Sequence, residues 1–496
     1  MRVTPYMDAV DHDLLIVGGG INGCAIAREA ALNGWSVLLV ERDDLASHTS
    51  SASSKLIHGG LRYLEQYDFR LVAEALRERE RLVAAAPHLI RPMRFVLPQP
   101  RGLRPWWLVR AGLVLYDLLG GRMSLPRSRG LRKDDAAYRA PLKDKLSGFV
   151  YSDAFVDDSR LTLANALDAA GNGATVATRT ALLSARREDG GWRAHLSDGR
   201  TVTARAIVNA AGPWVADALG RLGVNATGGV RLVKGSHIVV PRLYEGDHAY
   251  MLQQPDKRIV FAIPYLGHTE IGTTDVPVDA PEDAAISDDE IAYLCAAANR
   301  YFTRAIAPGD VVSTWSGVRP LYDDGASAAQ VVSRDYVLEL DGNGPPLLNV
   351  FGGKITTARH LAEEALARLG PTLGRRVARV TRGRAFPGGD FGAFEPFLAT
   401  ARARYPWLGE ARSMRMAHAY GSALFELLGD AAPVEVAGGL TEAELRWMHD
   451  REWARTSEDV LMRRSKLDVT LSAQDKATVT RWWDERYPAP PRTGGQ

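Results

Sequence analysis

The apolar residues of this chain fall into three arrangements: short continuous runs that end in small residues, alternating runs between turn signals, and stripes spaced three and four apart. The first arrangement recurs three times. Leu14 to Val17 runs into Gly18-Gly19-Gly20-Ile21-Asn22-Gly23 and an alanine-rich stretch, Cys24 to Leu32, closed by Asn33-Gly34. Ala206 to Asn209 runs into Ala210-Ala211-Gly212-Pro213-Trp214. Leu347 to Phe351 runs into Gly352-Gly353-Lys354-Ile355-Thr356-Thr357, with an amphipathic stretch from Ala358 to Leu369 behind it. Such runs predict strands buried on both faces, each meeting a tight turn. A fourth run, Ser36 to Val40, ends at Glu41. Alternation at Arg231 to Val240, Tyr250 to Gln253, Arg258 to Pro264, Thr269 to Thr274 and Val331 to Leu340 predicts an antiparallel sheet. Helical stripes run from Asp68 to Ala86, where Pro87 follows, and from Arg160 to Ala170 behind Val156-Asp157-Asp158-Ser159, read as a cap for both aspartates. Beyond Pro387 the pattern is helical and charged, and Thr456-Ser457-Glu458-Asp459 resembles a capping box.

The first glycine turn narrows the chemistry. Gly18 permits a sharp turn, Gly20 removes the Cβ that would bar a pyrophosphate, and Gly23 lets helix pack close on strand. The helix N-terminus, with Asn22 in its first turn, offers N–H groups and a positive dipole end to a charged group. Glu41 follows at about the twenty-residue offset where an acid accepts from an unphosphorylated ribose hydroxyl. Strand, helix and acid together predict a dinucleotide site. Residues 46 to 63 form a hydroxyl-rich loop in which Ser50, Ser51, Ser53, Ser54 and Gly59 suit a backbone lying against a cofactor, while Lys55, His58, Arg62 and Tyr63 reach further. Ala211 and Gly212 at the second return, and Gly353 at the third, allow the same close approach. The donor end of the helix after Lys354, Ile355 and Thr356 can hold the carbonyl of an electron-accepting ring as negative charge develops.

Composition changes this picture in few places. With 496 residues, 46% apolar and 24% charged, the chain supports two or three domains. A net charge of +2 argues against a nucleic-acid partner, so any basic function is local. One such place is Arg91 to Gly130, where eight arginines stand against a single acid, Asp117, around an apolar stretch from Trp106 to Tyr116. That composition fits either the headgroup region of an anionic membrane or a buried helix with solvated flanks. No run reaches the roughly 18 apolar residues of a spanning helix. Asp8, Asp11 and Asp13 fit neither a signal nor a transit peptide, so a cytoplasmic protein is expected. Cys24, read as a core residue, and Cys295 leave little scope for disulfides, and the histidines lack HxxxH spacing, so no metal is expected. The expected division is a dinucleotide-binding domain in three parts (1–90, 151–230 and 341–386), a basic aromatic segment (91–150), an antiparallel substrate domain (231–340), a helical domain (387–487) and a disordered tail (488–496).

Three returns to one dinucleotide, interrupted by antiparallel sheet, resemble the α/β FAD-dependent oxidoreductases of the glutathione-reductase and D-amino-acid-oxidase type, with a Rossmann domain. Within that group the chain is similar, from about residue 12 to residue 485, to the aerobic FAD-dependent glycerol-3-phosphate dehydrogenases of bacteria. The matching motifs are the first glycine turn, Ser50 to Leu64, Lys234-Gly235-Ser236-His237, Ile271-Gly272-Thr273-Thr274-Asp275, Ser316-Gly317-Val318-Arg319-Pro320, Phe351-Gly352-Gly353-Lys354 and the stretch around Glu458 to Leu467. The resemblance implies oxidation of sn-glycerol 3-phosphate to dihydroxyacetone phosphate, with electrons passing through FAD to a membrane quinone. It also implies peripheral attachment to the inner face of the membrane, often as a homodimer. Nothing marks a covalent flavin link, so FAD is expected to be held noncovalently.

A phosphomonoester dianion needs two or three cations, and Arg62, Arg319, Arg334 and Lys354 occupy motif positions. By resemblance Arg62, Arg319 and Lys354 lie nearest the substrate, with Tyr63 beside them. Loss of the C2 hydroxyl proton calls for a base that titrates near neutrality. His237 is the first choice and His58 the second, and with Arg319 they complete the expected catalytic set. Three alternatives stay open: a glycerol-phosphate oxidase that reduces oxygen, a different hydroxy or amino acid held through its carboxylate, and an FAD-binding protein without turnover.

Overall fold

The computed structural model describes residues 10–100, 104–121, 123–143, 146–224, 229–323, 335–430 and 432–488. Arg101, Arg122, Arg334 and the tail from residue 489 lie outside the described residues. Two large sheets carry the chain. In the first, five strands lie parallel in the order Leu347–Phe351, Thr201–Asn209, His12–Val17, Val37–Val40 and Thr175–Ala177. Leu14, Leu15, Ile16, Leu38 and Leu39 are wholly buried, as continuous apolar runs require. Helices Ile21–Leu32, Asp158–Gly171 and Ala358–Thr372 share one core with this sheet, and the small side chains Cys24, Ala27, Ala30 and Ala166 let them sit close to it. The three glycine-ended strands are adjacent, with Val17 opposite Asn209 and Asn209 opposite Asn349. Their turns therefore meet at one carboxyl edge of the sheet, where open α/β folds bind ligands.

The second sheet has ten strands, among them Gly229–Pro241, His268–Gly272, Ile259–Tyr265 and Ala249–Gln253 in that lateral order. All but one of its pairings are antiparallel, the exception joining Ala249–Gln253 to Ile90–Gln99. Helix Asp288–Asn299 covers one face. Two stretches fall elsewhere than the division by sequence placed them. Ile90–Gln99 and Ser147–Val156 are not at the edges of a basic segment but pair in the middle of this sheet. Both are buried over most of their length, so neither shows the alternation that marks a half-buried strand. Conversely, Val337–Asp341 leaves the antiparallel sheet and pairs with Leu347–Phe351 in the first, because the turn at Gly342 to Gly344 joins it to its neighbour in sequence. Beyond these sheets, helices Phe394–Arg404, Gly409–Tyr420, Glu442–Arg451 and Ala473–Arg486 build a C-terminal unit, whose main core includes Met416, Leu445, Met448 and Trp483.

Helix Trp106–Leu119 settles one open alternative. It buries only Leu113 and Tyr116 and exposes Trp106, Trp107, Leu108 and Leu118, so it is a surface helix and not a buried one. Several flanking arginines are engaged within the protein, Arg94 by Ser152, Arg110 by Ser128 and Arg129 by Asp135. Among the described residues no helix is long and apolar enough to cross a membrane.

Candidate active site

Two clefts open along the carboxyl edge of the first sheet and run into one another at Ile21, Thr49, Ser50, Gly352 and Gly353. The first begins at Gly18, Gly20 and Glu41 and passes Ala211 and Gly212. Gly18 has φ +111°, and a Cβ on Gly23 would stand 2.0 Å from the Gly18 carbonyl oxygen. No side chain fits at either position, so strand and helix are locked at the separation that a dinucleotide-binding turn needs. Glu41 is buried and accepts from the Gly19 N–H at 2.6 Å and the Asp43 N–H at 2.8 Å. Burial pushes its carboxyl pKa up, outweighing these two bonds. The Ile21 N–H donates to Ser50 Oγ, whereas the buried Asn22 Oδ1 has no partner among the described residues. A cradle that rejects side chains, a buried acid at its far end and an orphaned amide oxygen fit a bound dinucleotide.

The second cleft lies between the two sheets and holds the expected substrate groups. Arg62, Tyr63, His58, His237, Arg319 and Lys354 all line it, together with Ser53, Ser54, Ile355 and Thr356. Lys354 Nζ is buried, has no hydrogen-bond partner among the described residues, and stands 4.1 Å from the centre of the Tyr63 ring. The Arg62 guanidinium forms no ion pair or hydrogen bond among the described residues. Arg319 pairs with Asp275 at 3.2 Å. Asp335, on the same cleft, senses the Lys354 charge but makes no hydrogen bond to it, and a buried ammonium without a hydrogen-bond acceptor, on a wall that also carries Arg62 and Arg319, suits an anion.

The two histidines differ. His58 Nδ1 accepts from the Gly60 N–H, which places the ring proton on Nε2 and leaves no free lone pair. Burial, then Lys354 and Arg79, hold its pKa down at about 4. His237 is also kept neutral, by burial and then by Lys55 and Arg319. Its Nε2 lies 2.8 Å from Ser54 Oγ, its ring stacks on Trp315, and Nδ1 has no partner among the described residues. The imidazole lies over Gly272, where a Cβ would stand 1.9 Å from Cδ2. A proton acceptor is therefore available at His237 and not at His58.

Four expected cofactor contacts line neither cleft. Gly23 is inside its helix, and Ser51 bonds the His48 carbonyl. Gly59 donates its N–H to Tyr116 Oη at 2.8 Å, and Tyr116 in turn bonds Asp153. Lys55 turns behind the loop, where its ammonium donates to the Ser51 carbonyl and pairs with Asp158 at 3.1 Å. Asp158 is more than a helix cap. Wholly buried, it also pairs with Lys466 at 2.7 Å and accepts from Ser53 Oγ, tying the C-terminal unit to the hydroxyl-rich loop. Asp44 repeats the arrangement with Arg463 and Arg464, each at 2.7 Å. The adjacent acids Asp157 and Asp158, where one cap suffices, were the available signal; nothing local pointed to Asp44.

A Rossmann-type sheet, a glycine cradle and a cation-lined cleft against an antiparallel sheet define a flavin-dependent oxidoreductase, and the comparisons agree. The family model described as FAD dependent oxidoreductase matches residues 13–359, and that of the C-terminal domain of alpha-glycerophosphate oxidase matches residues 379–482. A glycerol-3-phosphate dehydrogenase of Pseudomonas aeruginosa is 49% identical over 97% of this chain and 96% of its own. A D-erythritol 1-phosphate dehydrogenase of Brucella abortus is 47% identical over 95% of this chain and 97% of its own. The crystal structure of the Bacillus halodurans glycerol-3-phosphate dehydrogenase with FAD superposes with TM-score 0.77 at 27% identity, covering 96% of this chain and 91% of that one. The chain belongs to the FAD-dependent oxidoreductases and, among them, to the family of the aerobic glycerol-3-phosphate dehydrogenases. Its cofactor is FAD.

Proposed function

We propose that this chain oxidises sn-glycerol 3-phosphate to dihydroxyacetone phosphate and delivers the electrons to a membrane quinone. The observation that carries the substrate reading is the buried Lys354 ammonium, without a hydrogen-bond partner among the described residues, on a cleft that also receives Arg62 and Arg319. Together they supply the two or three cations that a phosphate dianion requires. FAD, held noncovalently in the first cleft and its junction with the second, supplies the acceptor for the C2 hydride. The chain's own residues bind and orient: Lys354 and Arg62 hold the phosphate, Arg319 steers the polyol, and His237 takes the C2 hydroxyl proton. Ser54 Oγ, on the cleft wall and 2.8 Å from His237 Nε2, is the group through which that proton reaches the imidazole.

A second reading of the substrate is a four-carbon polyol phosphate, favoured by the 47% identity to the erythritol-phosphate enzyme over nearly the whole of both chains. Initial rates with sn-glycerol 3-phosphate, D-erythritol 1-phosphate and unphosphorylated glycerol separate the readings. The proposal expects kcat/KM highest for the first and lowest for the last. A preference for the erythritol phosphate supports the second reading, and a kcat/KM on glycerol as high as on the two phosphates contradicts both. On the acceptor side, reduced enzyme should reoxidise quickly with a soluble quinone and slowly in air. The reverse order, with peroxide formed, makes it an oxidase.

Attachment to anionic lipid is proposed for the exposed face of Trp106–Leu119, where Trp107 is 68% and Leu118 63% exposed. The expected result is that the protein floats with vesicles containing phosphatidylglycerol and that Trp107→Glu with Leu118→Glu reduces the bound fraction at least about tenfold. Unchanged flotation of the double variant moves the contact elsewhere.

A further inference from the structure

Glu270 lies on strand His268–Gly272 between Val239 and Ile263 on the adjoining strands, both wholly buried. It is 1% exposed, and neither carboxyl oxygen has a hydrogen-bond partner among the described residues. Its nearest basic nitrogen is His237 Nε2, 3.8 Å away, too far for a hydrogen bond but within range of a charge pair. A carboxylate here would be buried with both oxygens unsatisfied, and a neutral carboxyl avoids most of that cost. The other charged or titratable groups nearby are already committed or neutral. Lys55 and Lys466 both pair with Asp158, and Tyr244 and Tyr265 are buried phenols whose pKa values burial raises. The one neighbour whose charge changes in the proposed reaction is His237.

We propose that Glu270 is a positioning residue for the oxidation, a buried carboxyl that becomes the counter-ion of His237 when the imidazole takes up the substrate's proton. This rests on the reading of His237 as the base. As the C2 hydride leaves with its electron pair, the hydroxyl proton passes to His237 Nε2, and Glu270 gives its own proton to solvent. An imidazolium facing a carboxylate replaces two neutral groups, and one proton is released. The next catalytic cycle begins when His237 returns its proton and Glu270 is protonated again. Burial, only partly offset by Lys55, pushes the Glu270 pKa up to about 8, so the acid is poised to change state at working pH. His237 is held well below its usual pKa and stays neutral over the same range.

The test is anaerobic stopped-flow reduction of the bound flavin at saturating substrate, from pH 6 to 9.5, for Glu270→Gln, His237→Gln and the double variant. Wild type should show a limiting rate that climbs through an ionisation near 8. Glu270→Gln should be at least about tenfold slower, with a flat profile above pH 7 and little change in substrate Kd. In the His237→Gln background the second substitution should cost nothing more, since both act through one proton. Glu270→Gln should also melt higher than wild type at pH 8, because removal of a raised pKa removes a destabilisation that grows as pH rises from the ordinary carboxylate range through 8. Glu270→Leu serves if the glutamine variant does not fold. A Glu270→Gln enzyme with wild-type rate and pH profile beside a slow His237→Gln overturns the counter-ion alone. A fast His237→Gln overturns the base as well. Parallel loss of flavin content, Kd and rate assigns Glu270 a structural role and also overturns the proposal.

Discussion

Replacing Lys354 with methionine should lower kcat/KM for sn-glycerol 3-phosphate by roughly 10²- to 10³-fold while raising the melting temperature of the substrate-free protein. The two effects share one cause. Without substrate, the buried Lys354 ammonium makes no hydrogen bond among the described residues and has only the Tyr63 ring face and the charge of Asp335, on the same cleft, to offset its desolvation, so an apolar side chain of similar length relieves part of that cost. With substrate, the ammonium meets the phosphate, and truncating one partner of a desolvated charge pair costs about 2–5 kcal/mol. The loss should fall on KM and kcat/KM for phosphorylated substrates and spare turnover of any unphosphorylated alcohol. Steady-state kinetics with thermal melts of the same preparations measure both. A variant less stable and less active in proportion would make Lys354 a structural residue.

Asp158→Ala should be the most damaging single change outside the clefts. Asp158 is wholly buried and holds Lys55, Lys466 and Ser53 at once, so its removal leaves the Lys55 ammonium without its ion-pair partner and Lys466 with Asp157 alone. Breaking one partner out of such a network costs about 3–5 kcal/mol. The hydroxyl-rich loop loses its anchor to the C-terminal unit, and the protein should lose flavin on gel filtration. Burial alone would raise the Asp158 pKa, but Lys466, Lys55 and the Ser53 hydroxyl together bring it below the usual 3.8. Its folded pKa is depressed, so its contribution is complete above pH 3.8 and disappears only as pH falls further. Wild type should therefore retain flavin down to about pH 4, whereas Asp158→Ala should fail to hold it at neutrality.

Much of this architecture is written locally. The three apolar runs ending in small residues are adjacent strands of one parallel sheet, and each carries its own turn, so neighbouring residues suffice to find them. The cleft cations Arg62, Arg319 and Lys354 were legible for the same reason, each lying inside a short motif. The ionic clamp was not. Lys466 and Asp158 are 308 residues apart and Arg464 and Asp44 are 420 apart, and each has an unremarkable role within its own segment. Glu270 was hidden by alternation, which allows a charged residue on the solvent side of a strand but cannot tell when that side is covered. Ile90–Gln99 was obscured by Arg91 and Arg94, whose charge suggested a surface segment although the strand is central.

The central claim is that a phosphate held by the cleft cations places a polyol against FAD for oxidation. The most direct measurement is an anaerobic absorbance titration of the purified yellow protein with sn-glycerol 3-phosphate. Near-stoichiometric substrate should bleach the flavin bands, with rapid recovery on a soluble quinone. An enzyme that retains its FAD and keeps its full oxidised spectrum in excess sn-glycerol 3-phosphate would contradict it.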